Sequence, residues 1–193
     1  DKAEIVAQNY LSAYPNNEYT AEMYHVLGDA DYHFGKYHEA MGAFEKYLAN
    51  NKEEAPRRDA LYMLGLSYYH SGVYTKAANT LGEVATGNDA LSQNAYLHMG
   101  LSYLQMGDKN KARMAFEQAS ASNANMQIKE QAAYNYALCI HETSYSAFGE
   151  SVTVFEKFLN EFPNSQYVDK VSSYLVEVYM NTRSYEAALK SIE

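Results

Sequence analysis

The chain has 193 residues, 47% of them hydrophobic, and 15 Lys and Arg against 24 Asp and Glu, for a net charge of −9. That length is one large domain or two small ones. The acid excess argues against a nucleic-acid binder, which needs a basic patch to meet phosphates, and against docking on an anionic membrane surface. Three Pro and ten Gly are too few for a turn-rich β-sandwich or for disorder. A single cysteine, Cys139, makes no internal disulfide. No apolar run approaches the roughly 18 residues needed to span a bilayer, so no direct membrane insertion is expected.

Taken from the N-terminus, the chain repeats itself. Ala3, Tyr10, Leu11, Tyr14 and Pro15 read as half a unit, because the same order returns as Ser151, Phe158, Leu159, Phe162 and Pro163. The first full unit carries Leu27-Gly28, Gly35, Ala40 and Phe44. The second carries Leu64-Gly65, Tyr68, Gly72, Ala77 and Leu81, and the third Met99-Gly100, Tyr103, Gly107, Ala112 and Phe116. Two weaker copies follow: Leu138-Cys139 with Ser151 and Phe155, and Leu175-Val176 with Tyr179, Tyr185, Ala188 and Ile192. The anchors Gly28, Gly65, Gly100, Cys139 and Val176 are spaced by 37, 35, 39 and 37 residues. A fixed period of this size marks a repeat array. The expected units are a half repeat over 1–17, then 20–54, 57–88, 92–124, 127–163 and 166–193, forming one solenoid domain over 1–193. Because the chain starts inside one unit and stops inside another, it is expected to be a segment of a longer array.

Each unit reads as two helices. Apolar or aromatic residues at 61, 62, 64, 66, 68 and 69 make the stripe of a nearly buried helix. Gly72 breaks it, and Tyr74, Ala77, Ala78, Leu81 and Val84 then recur at helical steps. The Gly anchor and the Ala twelve residues later are small so that two antiparallel helices can cross closely. In the fourth unit those places fall to Cys139 and Ser151. Pro15 and Pro163 end second helices, since the residue before proline is pushed out of the α region.

This skeleton of small and large residues resembles the tetratricopeptide repeat. Leu64, Gly65, Tyr68, Gly72, Tyr74, Ala77 and Leu81 match it almost position by position. So do Gly28, Gly35, Tyr37, Ala40 and Phe44, and Gly100, Tyr103, Gly107, Ala112, Phe116 and Ala119. Its usual Trp is absent, with Tyr24, Leu61 and Tyr96 in its place. The resemblance implies an all-α, right-handed superhelical solenoid of antiparallel helix pairs. The stretch from Phe158 to Ser165, leading into Tyr179 and Tyr185, is similar to repeats of bacterial cell-envelope proteins of the outer-membrane assembly lipoprotein and Tol-Pal coordination types. It implies a periplasmic or envelope location, with the cytoplasm as the alternative.

Chemistry finds little footing. The glycines follow the repeat period and form no phosphate loop. Cys139 is a packed small residue, with His141 on a different face of its helix. His25, Asp29 and His33 share a helical face at steps of four, a set suited to zinc. The outer two lie ~12 Å apart along the axis, too far for one ion. They read as a polar face with His–Asp hydrogen bonds. No catalytic residue, metal or cofactor is expected.

The resemblance further implies a concave groove on the first helices. It assigns to that groove His25, Asp29, Tyr32 and His33; Tyr62, Leu66, Tyr69 and His70; Leu97, Leu101, Leu104 and Gln105; and Tyr136, Ile140 and Thr143. Of these, His25, Asp29, Tyr32, His33, Tyr62, Tyr69, His70, Leu97 and Tyr136 are the candidate partner-binding residues. Tyr brings area, little entropy loss and a hydroxyl to such a surface. The cations that would clamp a carboxylate-ended chaperone tail are missing. A ligand with apolar or aromatic anchors and basic residues is expected instead. The function implied is a non-catalytic scaffold for a protein or peptide of unknown identity. The rivals are a structural spacer and a metal or small-ligand binder using His25, Asp29, His33 and His70.

Overall fold

The computed structural model of the chain describes residues 2–144, 149–181 and 190. All regular structure among them is α-helical, in the order α1 (Lys2–Ala13), α2 (Thr20–His33), α3 (Tyr37–Asn50), α4 (Glu54–His70), α5 (Tyr74–Val84), α6 (Ala90–Gln105), α7 (Lys109–Ala121), α8 (Met126–Thr143), α9 (Gly149–Glu161) and α10 (Val168–Asn181). Helix α1 is the half unit. The pairs α2/α3, α4/α5, α6/α7 and α8/α9 are complete, and α10 opens the next. Tyr185, Ala188 and Ile192, expected in a further helix, lie outside the described residues. None of the described helices is long and apolar enough to cross a membrane.

The tight turns follow from three glycines. Gly35, Gly72 and Gly107 sit at φ of 72°, 76° and 77°, a left-handed conformation that other residues rarely adopt. There the chain closes each first helix with a paired set of bonds. At the first turn Gly35 N–H donates to Tyr32 O (3.0 Å) and Lys36 N–H to Asp31 O (2.8 Å), with equivalents at the other two. Helices α1 and α9 end at Ala13 and Glu161, two residues before Pro15 and Pro163.

The anchor glycines are small because an aromatic or branched side chain lies on them. A Cβ at Gly28 would stand 2.9 Å from the Phe44 ring, one at Gly65 2.6 Å from Leu81, and one at Gly100 2.5 Å from the Phe116 ring. Phe44, Leu81 and Phe116 are completely buried.

The fourth unit departs from the expected register. Three residues join α2 to α3, whereas five join α8 to α9, so a fixed offset counted back from Ser151 overshoots. The residue in the anchor place is Ala137, which packs with Tyr134, Phe155 and Phe158 in one core cluster. Cys139 instead joins Leu97, Ala112 and Phe116, the core of the preceding pair. It is buried at the place that Ser67 and Ser102 hold in the second and third units. The fourth unit therefore keeps its small anchor, and Cys139 is not that anchor. Burial pushes the Cys139 thiol up to about 11, as expected of an inert packed sulfur.

Consecutive units are fastened by polar bridges. Tyr68 donates its hydroxyl to Glu45 of the preceding second helix, and Tyr179 repeats the bridge to Glu156. Arg58, on α4, donates to Val84 O (2.9 Å), to both oxygens of Asp89 (2.6 and 2.9 Å) and to Ser92 Oγ (2.8 Å). Asp89 also caps α6 through Ser92 N–H. Arg58 and that cap together hold its carboxyl well below the usual range.

One position breaks the pattern of the second and third units. Where they place Tyr68 and Tyr103, the first has Asp31, only 3% exposed. Burial, then the charge of Glu4, raise its pKa; Lys36 opposes them and Glu39 adds to them. A carboxyl whose pKa is raised in the fold destabilises the fold at neutral pH, and the cost is relieved as pH falls. Asp31→Asn is expected to raise the thermal midpoint by roughly 2–4 °C at neutral pH, and by less near pH 4, in paired melts.

Candidate functional site

Successive first helices touch: α2 meets α4, α4 meets α6, and α6 meets α8. Successive second helices make no comparable contact. Helices that lie closer together mark the inside of a bend, so the first helices form the inner row. The residues that join them one to the next are aromatic. Tyr32 of α2 meets His70 of α4 edge-on, with centroids 6.0 Å apart, and Tyr69 of α4 meets His98 of α6 at 5.6 Å. His141 of α8 meets Tyr174 of α10 at 5.7 Å in the same register. The starts of second helices brace the row. Tyr37 stacks on His70 at 4.5 Å with 19° between planes, and Tyr74 meets Tyr69 at 5.9 Å. The result is a ladder of Tyr and His rings along three pairs, resumed at α8 and α10.

Several phenols in this row are desolvated and make no hydrogen bond among the described residues. Burial, with the Tyr32 phenol beside it, pushes Tyr62 up to about 12. Burial also raises Tyr32 and Tyr69, with Tyr37 and Tyr74 as their respective neighbours. Each hydroxyl keeps some solvent contact, since no buried side-chain N or O atom among the described residues lacks a partner. A tyrosine with a packed ring and an unbonded hydroxyl at the surface offers both area and a polar handle.

His70 and His98 are also held low. Burial lowers both; for His98 the Asn94 carbonyl raises and nearby His70 lowers further. The His98 Nδ1 lies 2.9 Å from Asn94 O, and His70 is ringed by Tyr32, Tyr37 and Tyr69. A histidine whose folded pKa is depressed contributes stability that is complete above its ordinary value near 6.5 and is lost as pH falls below it. The thermal midpoint is therefore expected to drop between about pH 7 and pH 5. His98→Leu should flatten that slope in melts across the window.

The expected site residues divide into three groups. Tyr32, Tyr69 and His70 form the ladder, and Tyr62 lies beside it. His33 meets Tyr32 at 6.0 Å, and its Nδ1 lies 2.7 Å from Asp29 O. His25 pairs with Asp29 at 3.2 Å and packs edge-on against Tyr47 at 4.9 Å. His25 and Asp29 are thus neighbours on one face, as the spacing of four implies. Among the described residues no three His, Cys, Asp or Glu side chains gather to hold a metal ion.

Leu97 and Tyr136 fall elsewhere. Leu97 is 2% exposed and lies in the core with Ala112 and Phe116, so it has no free surface for a partner. Leu66 and Ile140 are likewise buried. Tyr136 lines a cleft of about 380 Å³ with Arg113 of α7 and Glu150, Thr153 and Val154 of α9, on the side of the second helices. The shifted register is the reason. Counted from Ala137, Tyr136 corresponds to Met99, which lines an equivalent cleft of about 280 Å³ beside Tyr103 and Met114. The residues that occupy the inner place in α8 are Leu138 and His141.

His98, His141 and Tyr174 were not singled out by sequence. A signal existed: His98 and Tyr174 each lie two residues before an anchor, facing the ring four residues after the previous anchor, and His141 is that ring in the fourth unit. The wrong anchor in the fourth unit hid the last two.

Comparison with known proteins supports the fold. A family model described as anaphase-promoting complex, cyclosome, subunit 3 matches residues 33–119. No curated protein matches the chain by sequence. Among solved structures, a tetratricopeptide repeat protein from Parabacteroides merdae is similar at 20% identity over 98% of this chain and 70% of its own, with a TM-score of 0.65. The protein MamA is similar at 19% identity over 91% and 90%, with a TM-score of 0.72. The Rap conjugation gene regulator of plasmid pLS20, in complex with the Phr* peptide, is similar at 15% identity over 89% and 51%, with a TM-score of 0.54. The chain has the tetratricopeptide solenoid fold. Envelope assembly proteins, which the stretch from Phe158 resembles, are not among these.

Proposed function

We propose that the chain is a non-catalytic scaffold that holds a protein or peptide segment along the inner row of first helices. The observation that carries this reading is the ladder of Tyr32, Tyr69, His70 and His98, flanked by Tyr62, with desolvated phenols that make no hydrogen bond among the described residues. Preformed rings on stacked helices present area and hydrogen-bonding groups whose ordering cost is already met in the free protein. Solenoids of this fold include one solved with a bound peptide, the Rap regulator. Among the described residues, the repeats bring together no nucleophile, base and anion-binding group.

A spacer is the second reading, favoured by one observation. In the third unit the inner side carries Leu97, buried in the core around Phe116, and Leu101 and Leu104, partly buried against that core. Binding is therefore placed on the first two pairs and the start of α6, with the third pair as a stiff extension.

Site-specific photo-crosslinking separates the two. A photoreactive residue at Tyr62 or His33 should trap a partner in native extract, and one at Met114 on the outer side should not. Trapping only from Met114, or from none of the three while the intact array binds its partner, overturns the inner-row reading.

A further inference from the structure

We propose that the segment held on this inner row is cationic and carries arginine, its guanidinium planes lying on the Tyr and His rings between flanking carboxylates. The inference rests on the inner-row reading above and names the class of partner it admits.

The first observation is the distribution of charge along the row. The relevant positions lie six, three and two residues before each anchor and one, four and five after it, counting from Gly28, Gly65, Gly100 and Ala137. At those positions α2, α4, α6 and α8 carry Glu22, Asp29, Asp59 and Glu142, and no Lys or Arg. Helix α10 adds Glu177 and Lys170, counting from Val176. Glu142 is met by Lys109 at 2.8 Å, which leaves Glu22, Asp29 and Asp59 concentrated at the first two pairs, where the ladder lies. The Asp29 side chain is 41% exposed and, among the described residues, pairs with His25 alone. After burial, the charges of Glu22, Glu53 and Asp59 raise the Tyr47 phenol, against the Asn51 side chain, which lowers it. The two arginines at the start of α4 are engaged with other groups. Arg57 donates to Leu48 O at 3.1 Å, and Arg58 is committed to Asp89 and Val84 O.

The second observation is the chemistry of the ladder. Ring faces of Tyr attract a cation through their quadrupole, and a planar guanidinium stacks on them better than a compact ammonium. The free protein already uses this attraction elsewhere: Lys46 sits over Tyr24 at 5.2 Å, Lys76 over Tyr68 at 5.4 Å and Lys111 over Tyr103 at 5.6 Å. No such cation covers Tyr32, Tyr62 or Tyr69 among the described residues. An acidic ligand would meet carboxylates with no fixed positive charge to repay its desolvation. A purely apolar one would leave the phenol hydroxyls unbonded.

The test uses the whole chain and a fluorescent, flexible peptide of about ten residues with three spaced Arg and two Leu, beside versions with Lys, citrulline or Glu in place of Arg. The Arg peptide should bind with micromolar affinity, at least tenfold tighter than the Lys and citrulline peptides, and the Glu peptide should not bind. Raising salt should weaken it, by less in Asp29→Asn/Asp59→Asn, whose exposed substitutions spare the fold. Tyr69→Phe, which keeps the ring, should retain affinity, whereas Tyr69→Ala/His70→Ala should lose about tenfold and Tyr136→Ala nothing. Lowering the pH from about 7.5 to about 5.5 should expel the peptide as His70 and His98 take up protons among Tyr32, Tyr37 and Tyr69.

Equal binding of the Arg and citrulline peptides overturns the cationic class, as does tighter binding of the Glu peptide. A library selection read alongside distinguishes this from failure of the underlying reading. Neutral or acidic peptides that lose affinity in Tyr69→Ala/His70→Ala would keep the inner row as the site and discard the charge requirement. Arg-peptide binding that survives every inner substitution and disappears only with outer ones discards both.

Discussion

Phe116→Ala is expected to lower unfolding stability by about 3–5 kcal/mol, which is a large share of what a domain of this kind has. The ring is completely buried and lies on Gly100, close enough that even a methyl group there would stand 2.5 Å from it. Its cluster also holds Leu97, Ala112 and Ala119 of its own pair with Ala132 and Cys139 of the next. Deleting the ring empties the joint between two units and leaves it lined by helices that cannot easily collapse. The converse change, Gly100→Ala, is expected to cost about 1–3 kcal/mol, because the buried ring must be displaced to admit the methyl group. The fourth unit shows that a Cβ can be accommodated: Ala137 sits in the anchor place beside Phe155. Chemical denaturation with far-ultraviolet circular dichroism measures both. A Phe116→Ala loss below about 1 kcal/mol would mean the joint is not the keystone described.

The second large effect concerns binding. Tyr69→Ala/His70→Ala removes the two central rings of the ladder. Interface hot spots are enriched in Tyr and cost about 2 kcal/mol or more on truncation, so affinity for the natural partner should fall at least about thirtyfold. Both side chains keep some exposure, and Tyr69 is partly packed against its own core. The comparison therefore needs matched helicity and the ring-preserving Tyr69→Phe as a control. Unchanged affinity in the double variant at matched helicity would remove the ladder from the binding surface.

Most of the architecture was legible because it is written in small residues. Gly28, Gly65 and Gly100 are small for one steric reason, and Gly35, Gly72 and Gly107 for one conformational reason, so each leaves a mark at a fixed period. The fourth unit was misread for an equally physical cause. Its connection between helices is two residues longer than the others. An alanine can serve as anchor where glycine serves elsewhere, and cysteine is small enough to pass for one. Cys139→Ser, which installs the residue found at the matching places of the second and third units, should cost little. Ala137→Leu should cost several times more by driving a side chain into Phe155.

The site was legible in part. Tyr32, Tyr69 and His70 could be placed from the register of the first two units, where the glycines are plain. Leu97 could not be told from a surface residue, because apolar residues that face a neighbouring helix and those that face a partner look alike in sequence. Asp31 carried no warning either: the charges that act on it, Glu4, Lys36 and Glu39, all lie outside its own helix.

The contact between successive first helices, set against the gap between successive second ones, gives the array a mechanical character. Each joint resembles a hinge with its pin on the inner edge, and the pins are the Tyr–His ring pairs at Tyr32–His70, Tyr69–His98 and His141–Tyr174. Rings meeting edge-on or tilted at about 6 Å can slide without breaking directed bonds. The Arg58–Asp89 bridge, in contrast, locks one joint with charge. The solenoid thus has joints of different kinds, a charged bridge between the second and third pairs and the Tyr68–Glu45 hydrogen bond between the first and second. A ligand wedged among the inner rings would alter its pitch, carrying news of occupancy to both ends of the array.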